Sequence, residues 1–293
     1  MPTMTRAQLF VSCLVDLFRP RAGIAAVQVL ERRDIELEVP PGQTCCGQFA
    51  YNAGHHREAA AMGRQFVRAF EASGANGSPA DPLPLIALSG SCAAMVKIEM
   101  PELLERDALR QGRTSATAAR WRRRAETLAG RVVEFSEWLD GHDSLTPFDV
   151  ASPEPAASES LQVVCHTGCH MRRLLGVTEP PLRALRRAGV EPLELIDADQ
   201  CCGFGGSFGL IEPDISAAMT DAKLAHLATA RSEGATCLVS ADLGCLMQLG
   251  GRLSRRGDQF PTLHLAELVD LADQGRLTAA EIERAAHGQG GNA

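Results

Sequence analysis

The sequence predicts an α/β protein made of two tandem cysteine-rich domains. Each is expected to be a mostly parallel sheet flanked by helices, the two being related by internal duplication. Three observations predict this. One cysteine frame occurs twice: Cys13, Cys45-Cys46-Gly47 and Cys92, then Cys169, Cys201-Cys202-Gly203 and Cys245. Each half alternates short apolar runs with amphipathic stretches, the pattern of a parallel sheet covered by helices. Between the frames, Thr146 to Ser160 carries prolines and no apolar periodicity, and it reads as a linker. The expected division is therefore 1–145, 146–160 and 161–293.

The elements follow in order. Leu9 to Ser12, Ile35 to Val39 and Leu85 to Leu88 read as strands, with helical spacing over Ala22 to Arg32 and Glu58 to Glu71. In the second half, Leu161 to Val164, Pro192 to Ile196 and Cys237 to Ser240 read as strands, and Pro181 to Ala188 and Ile215 to Ser232 as helices. The duplication extends past the cysteines. Ile86 to Cys92 mirrors Leu238 to Cys245, and Val133 to Leu139 mirrors Leu263 to Leu268. The first copy carries a charged, helix-prone insertion, Pro101 to Gly130.

Composition narrows the function. At 293 residues and 45% hydrophobic, the chain can bury a sizeable core. No apolar run reaches the roughly 20 residues that span a bilayer, so membrane insertion is not expected. The apolar stretch near the start is broken by Asp16 and Arg19 and does not read as a secretory signal, so a cytoplasmic setting is expected. There, ten cysteines point to metal or redox chemistry rather than to structural disulfides. Net charge is −7. The basic clusters Arg120 to Arg124 and Arg183 to Arg187 lack interleaved aromatics and read as solvated helix faces, so nucleic acid is not an expected partner.

In both halves the framed cysteines follow predicted strands. Parallel strands end at one sheet edge, where ligands bind near the switch point, so distant segments can converge there. Gly47, Gly203, Gly205 and Gly206 let the chain turn tightly around a bound object. Structural zinc usually takes C-x2-C pairs, which are absent, and vicinal cysteines strain a chelate on one ion. An iron–sulfur cluster, usually held by four thiolates, accommodates neighbours on different irons. Iron–sulfur, zinc and thiol–disulfide readings stay open on the residues alone, with the first the best fit. No G-x-G-x-x-G or P-loop opens a helix, so a nicotinamide or flavin is not supported, and another component is expected to take the first electron pair from a substrate.

The segments GQTCCGQFAYNAGHHREA, SGSCAAMVK, CCGFGGSF, ISAAMTDAK and DLGCLMQLGG carry a resemblance. The chain resembles the CCG-domain proteins, among them the cysteine-rich component of heterodisulfide reductase and the glycolate oxidase iron–sulfur subunit, and is most similar to the lactate utilization protein A family. That resemblance implies an iron–sulfur oxidoreductase subunit that oxidises L-lactate to pyruvate with partner subunits. It implies one cluster per half, a [4Fe–4S] type, on Cys13, Cys45, Cys46 and Cys92 and on Cys169, Cys201, Cys202 and Cys245. The implied partners are other lactate-utilization iron–sulfur subunits or a flavoprotein dehydrogenase. Two alternatives remain: an electron-transfer module of a glycolate-oxidase-type flavin dehydrogenase, and a heterodisulfide-reductase-like thiol oxidoreductase. Fuller CCG domains end in C-x2-C and offer a fifth cysteine, and here Ser89 and Asp242 stand in its place.

The remaining candidates lie around these frames. Asp242 can serve as an extra oxygen ligand, proton carrier or turn residue, and Ser89 reads as a turn residue. Cys165 and Cys237 fall in predicted strands and read as buried apolar residues, although Cys165 is near enough to Cys169 to be recruited. His170 adjoins a ligand cysteine and can donate to a cluster sulfur or relay a proton. Arg172 can pair with a substrate carboxylate. His170 and Arg172 are the catalytic candidates. His55, His56, Lys97 and Lys223 read as helix-surface residues close to the cysteine loops, and Met219 and Met247 as core.

Overall fold

The computed structural model describes residues 5–72, 82–142 and 161–287. The expected linker, Thr146 to Ser160, lies outside the described residues. The first half runs β1 Thr5–Phe10, α1 Cys13–Phe18, α2 Pro20–Glu31, β2 Ile35–Glu38, α3 Gln48–Asn52, α4 His56–Ala72, β3 Leu85–Ala87 and α5 Gly90–Ala94. A π-helical turn, Met95–Glu99, leads into α6 Met100–Arg110, then α7 Ser115–Ala129, β4 Val132–Glu134 and α8 Phe135–Gly141. The second half begins with β5 Gln162–Cys165, a π-helical turn Met171–Leu175, α9 Glu179–Arg187 and β6 Glu191–Leu193. It continues with α10 Phe208–Ile211, α11 Pro213–Ser232, β7 Ala235–Ser240, α12 Leu243–Arg255, β8 Thr262–His264, α13 Leu265–Asp273 and α14 Ala279–His287.

Each half holds one four-stranded sheet, ordered β2-β1-β3-β4 and β6-β5-β7-β8. Every pairing is parallel. The chain leaves β1 for β2 on one side and returns to β3 on the other, so β1 and β3 flank a switch point, as β5 and β7 do. Cys13 follows β1 and Cys92 follows β3, and Cys169 and Cys245 follow β5 and β7.

Local chemistry explains the elements. Helix α2 starts at Pro20, whose missing N–H and set φ suit a first turn. Its Ala22, Ala26, Val29 and Leu30 recur at helical spacing and are buried. The edge strands β4 and β8 are absent from the sequence expectation. Each has three residues and passes directly into a helix, which hides period-two alternation. A capping box closes each of those junctions, Glu134 with Glu137 and His264 with Glu267.

The insertion is the hairpin α6–α7, which buries Leu103, Leu104, Ala125 and Leu128 against Phe66 and Phe70 of α4. Its basic face is paired with acids: Arg122 with Glu105 and Glu126, Arg124 with Glu71. Arg183 and Arg187 both pair with Asp140. One apolar core runs through both halves, joining Leu9, Ile86 and Phe135 to Val163, Leu238 and Leu268. Beside it, Arg19 of the first half meets Glu267 of the second at 2.7 Å, with side-chain exposures of 5% and 7%. No described helix is long and apolar enough to cross a membrane.

Candidate metal centre

The loops after the strands are shaped by backbone that only glycine suits. Gly47 and Gly203 both lie at φ +89°, in the left-handed region. A Cβ on Gly203 would stand 2.5 Å from the Ser216 carbonyl oxygen, and one on Gly47 3.1 Å from that of Ala59. The tight reversal brings the Gly47 amide to Cys45 Sγ and the Gly203 amide to Cys201 Sγ, each at 3.4 Å. The second loop is braced from α11. Ser216 Oγ donates to the Gly203 carbonyl at 2.8 Å and Thr220 Oγ1 to that of Cys202 at 2.9 Å. Lys223 does not lie on the helix surface as expected. It is 1% exposed, and its Nζ donates to the carbonyls of Asp197, Ala198 and Gln200 ahead of Cys201.

The framed thiols converge as two sets. Cys13 and Cys45 Sγ are 3.5 Å apart, Cys46 and Cys92 3.2 Å, and Cys202 and Cys245 3.0 Å. All ten cysteines are free thiols. Both sets open on one cavity between the halves, which all eight framed cysteines line together with His170, Phe49 and Phe204. The two rings pack edge to face across the halves at 5.5 Å. Crowding sets the thiol acidities. Hydrogen bonds to Cys45 from its neighbours hold its thiol down, and the same bonds, with burial, push Cys13 and Cys46 up. The second set repeats this with Cys201 held down and Cys169 and Cys202 pushed up. Buried sulfurs so close cannot all ionise unless a cation joins them. The donor chemistry therefore fits a thiolate-bound metal group.

Asp242 and Ser89, the two residues in the fifth-cysteine places, meet each other. Ser89 Oγ donates to Asp242 Oδ1 at 2.8 Å, and the Ser91 amide donates to the same oxygen at 2.9 Å. Each stands at the N-cap position of a helix that carries a thiol, α5 and α12, and Ser89 Oγ accepts from the Cys92 amide there. Asp242 Oδ2 is buried without a partner. It needs a glycine opposite, because a Cβ on Gly168 would lie 2.2 Å from it.

His170 lines the cavity, its Nδ1 3.5 Å from Cys169 Sγ. Arg172 does not line it, and donates to Thr167 Oγ1 and Glu194 Oε1 instead. Cys165 and Cys237 sit in strands within the core, and burial pushes each thiol up to about 12. Lys97 Nζ donates to the Val132 carbonyl at 3.0 Å, His55 is exposed and His56 half-buried.

Comparison with known proteins agrees with this duplicated site. The cysteine-rich CCG domain matches residues 7–97 and again 163–250. "Lactate utilization protein A" of Geobacillus kaustophilus (strain HTA426) is 39% identical over 266 residues, which is 90% of this chain and 98% of that protein. This chain belongs to the lactate utilization protein A family. The relative of that name from Halalkalibacterium halodurans is 35% identical over 272 residues, 92% of this chain and 99% of the other. A crystal structure of a hypothetical protein from Helicobacter pylori shares the fold, with a TM-score of 0.55 at 14% identity. It covers 96% of this chain, which spans only 51% of that one.

Within this family site the sequence reading passed over one residue, His166. It is 3% exposed, and its Nε2 has no partner. A ring nitrogen of His166 and the Sγ atoms of Cys202 and Cys245 all lie within 4.8 Å of one another. The duplication itself carries a signal for it. Phe10 holds the matching place before Cys13, so a polar residue stands where the other copy has a buried ring.

Proposed function

We propose that this protein is the iron–sulfur subunit of a multi-component system that oxidises L-lactate to pyruvate. In this reading it carries electrons through cysteine-ligated clusters, one per half, and works in the cytoplasm with partner subunits. The observation that carries it is the convergence of two duplicated sets of free thiols on one cavity. Cys13, Cys45, Cys46 and Cys92 would hold one group, and Cys169, Cys201, Cys202 and Cys245 the other. A bound iron–sulfur group supplies one-electron storage and transfer. The domains would divide at the linker, 1–145 and 161–293.

The chain's own residues supply the rest. The Gly47 and Gly203 amides donate to Cys45 and Cys201, which favours the thiolate forms. The N-termini of α5 and α12 stand beside Cys92 and Cys245, where their dipoles favour negative charge. Phe49 and Phe204 give the cavity an apolar wall. His170 is placed to hold a proton at Nδ1 beside Cys169. Arg172, held by Glu194 and Thr167, braces the loop after β5 rather than meeting a substrate. Lactate loses two electrons, so a flavoprotein or another subunit would take the pair before passing electrons on singly.

Iron and acid-labile sulfide per chain, on protein purified without oxygen, test the reading. About eight irons with matching sulfide are expected for two [4Fe–4S] clusters. Cys45→Ser and Cys201→Ser should each remove about half. Zinc without sulfide would overturn the redox reading. Loss of growth on L-lactate when the chain is deleted tests the substrate.

A further inference from the structure

The two halves differ at one pair of positions beside the thiols. In the first half β1 ends in Phe10, whose ring packs edge-on against Phe66 of α4 at 4.7 Å. In the second half the place of Phe10 is taken by His166. Gly47 rests on Ala59 of α4 and Gly203 on Ser216 of α11, and counting the same distance along each helix sets Lys223 where Phe66 stands. Two packed rings are thus replaced by two nitrogen-bearing side chains, which is unfavourable in a buried place unless each nitrogen has a partner. Lys223 has three, the loop carbonyls before Cys201. His166 Nε2 has none among the described residues.

His166 is held firmly. Its amide donates to the Val239 carbonyl at 2.8 Å, and its carbonyl accepts from Ser240 Oγ at 2.6 Å, so β7 fixes it from both sides. A nitrogen of its ring lies within 4.8 Å of the sulfurs of Cys202 and Cys245. We infer that His166 is an iron ligand of the second half, through Nε2, beside Cys202 and Cys245. The inference rests on the iron–sulfur reading above. Phe10 offers no such donor, so the two halves would hold electronically unlike centres. An imidazole donor beside the thiolates, with the buried Lys223 nearby, sets the electronic character of the second centre apart from that of the first.

The test uses the full chain with the first thiol set disabled by Cys45→Ser and Cys46→Ser. The protein is labelled with ¹⁵N-histidine, assembled with iron and sulfide without oxygen, and reduced. Pulsed EPR should show a coupling of the size given by an iron-bound imidazole nitrogen. The coupling should vanish in His166→Phe and persist in His170→Gln, and the midpoint potential should shift in His166→Phe but not in His170→Gln. Should His166→Phe fail to fold, His166→Gln takes its place, and the coupling in the labelled parent chain needs neither. Iron and sulfide without a histidine coupling, or a coupling that survives the His166 variants or depends on His170, would overturn this inference alone. A parent chain that assembles no iron and sulfide would overturn the iron–sulfur reading and this inference with it.

Discussion

Glu134 and His264 occupy the same place in the two halves, and the fold treats them in opposite ways. Each is fully buried, ends an edge strand and caps the helix after it. Burial raises the Glu134 carboxyl from its ordinary 4.5 to about 8, against the hydrogen bonds it accepts from Ser136. Glu134 is therefore protonated in the folded chain at neutral pH. Its stabilising contribution is complete below about pH 4.5 and is lost as pH rises through about 8. Burial lowers His264 from 6.5 to about 4, while its Nε2 faces the carbonyls of Leu88 and Ala241. Its contribution is present above pH 6.5 and is lost as pH falls through about 4. Glu134→Gln keeps an acceptor for Ser136 and removes the titration. Relative to this variant, the parent chain should lose up to ~1.4 kcal/mol of stability per pH unit between pH 5 and 8. Urea midpoints across that range measure it, and parallel curves for the two proteins would contradict the assignment.

Among elements, the hairpin α6–α7 is the largest departure from the duplication. It covers the outer face of α4, where Leu104 is completely buried among apolar neighbours. Leu104→Ala should lower stability by about 2–5 kcal/mol through lost transfer energy and a cavity. Chemical denaturation reads that loss, and a change below about 1 kcal/mol would mean that the hairpin packs loosely. The helical spacing of Ala22 to Arg32 and Glu58 to Glu71 was readable because long periodic segments have strong signatures. The edge strands β4 and β8 were not, because pairing with β3 and β7 decides them. The same holds for Lys223, where a helix-surface expectation gave way to tertiary burial.

For the whole molecule, buried and half-buried polar contacts join the two halves. Arg19 donates to Glu267 and to the Thr262 carbonyl across the boundary. Arg33 reaches Asp273 in the same way, and Ser89 reaches Asp242. Removing one member of a buried ion pair leaves an uncompensated charge. Arg19→Met should therefore lower stability by about 3–5 kcal/mol. Adding Glu267→Gln, which keeps the bond from the His264 amide, should recover part of that loss. Denaturant midpoints of the three proteins decide it, and strictly additive effects would exclude coupling between the halves.

The family, the two sheets and the eight framed cysteines were legible in the chain itself. Those features rest on spacing and periodicity, which are properties of order along a sequence. The duplicated frame also placed each thiol after a strand, because parallel strands all end at one edge. Three features emerged with folding in three dimensions. Both thiol sets share one cavity, Ser89 and Asp242 bond to each other, and the buried His166 ring lies against two sulfurs. Each of these joins residues far apart in the sequence. The first two depend on how the halves pack together and the third on how the loops of the second half meet, and local pattern carries no record of either.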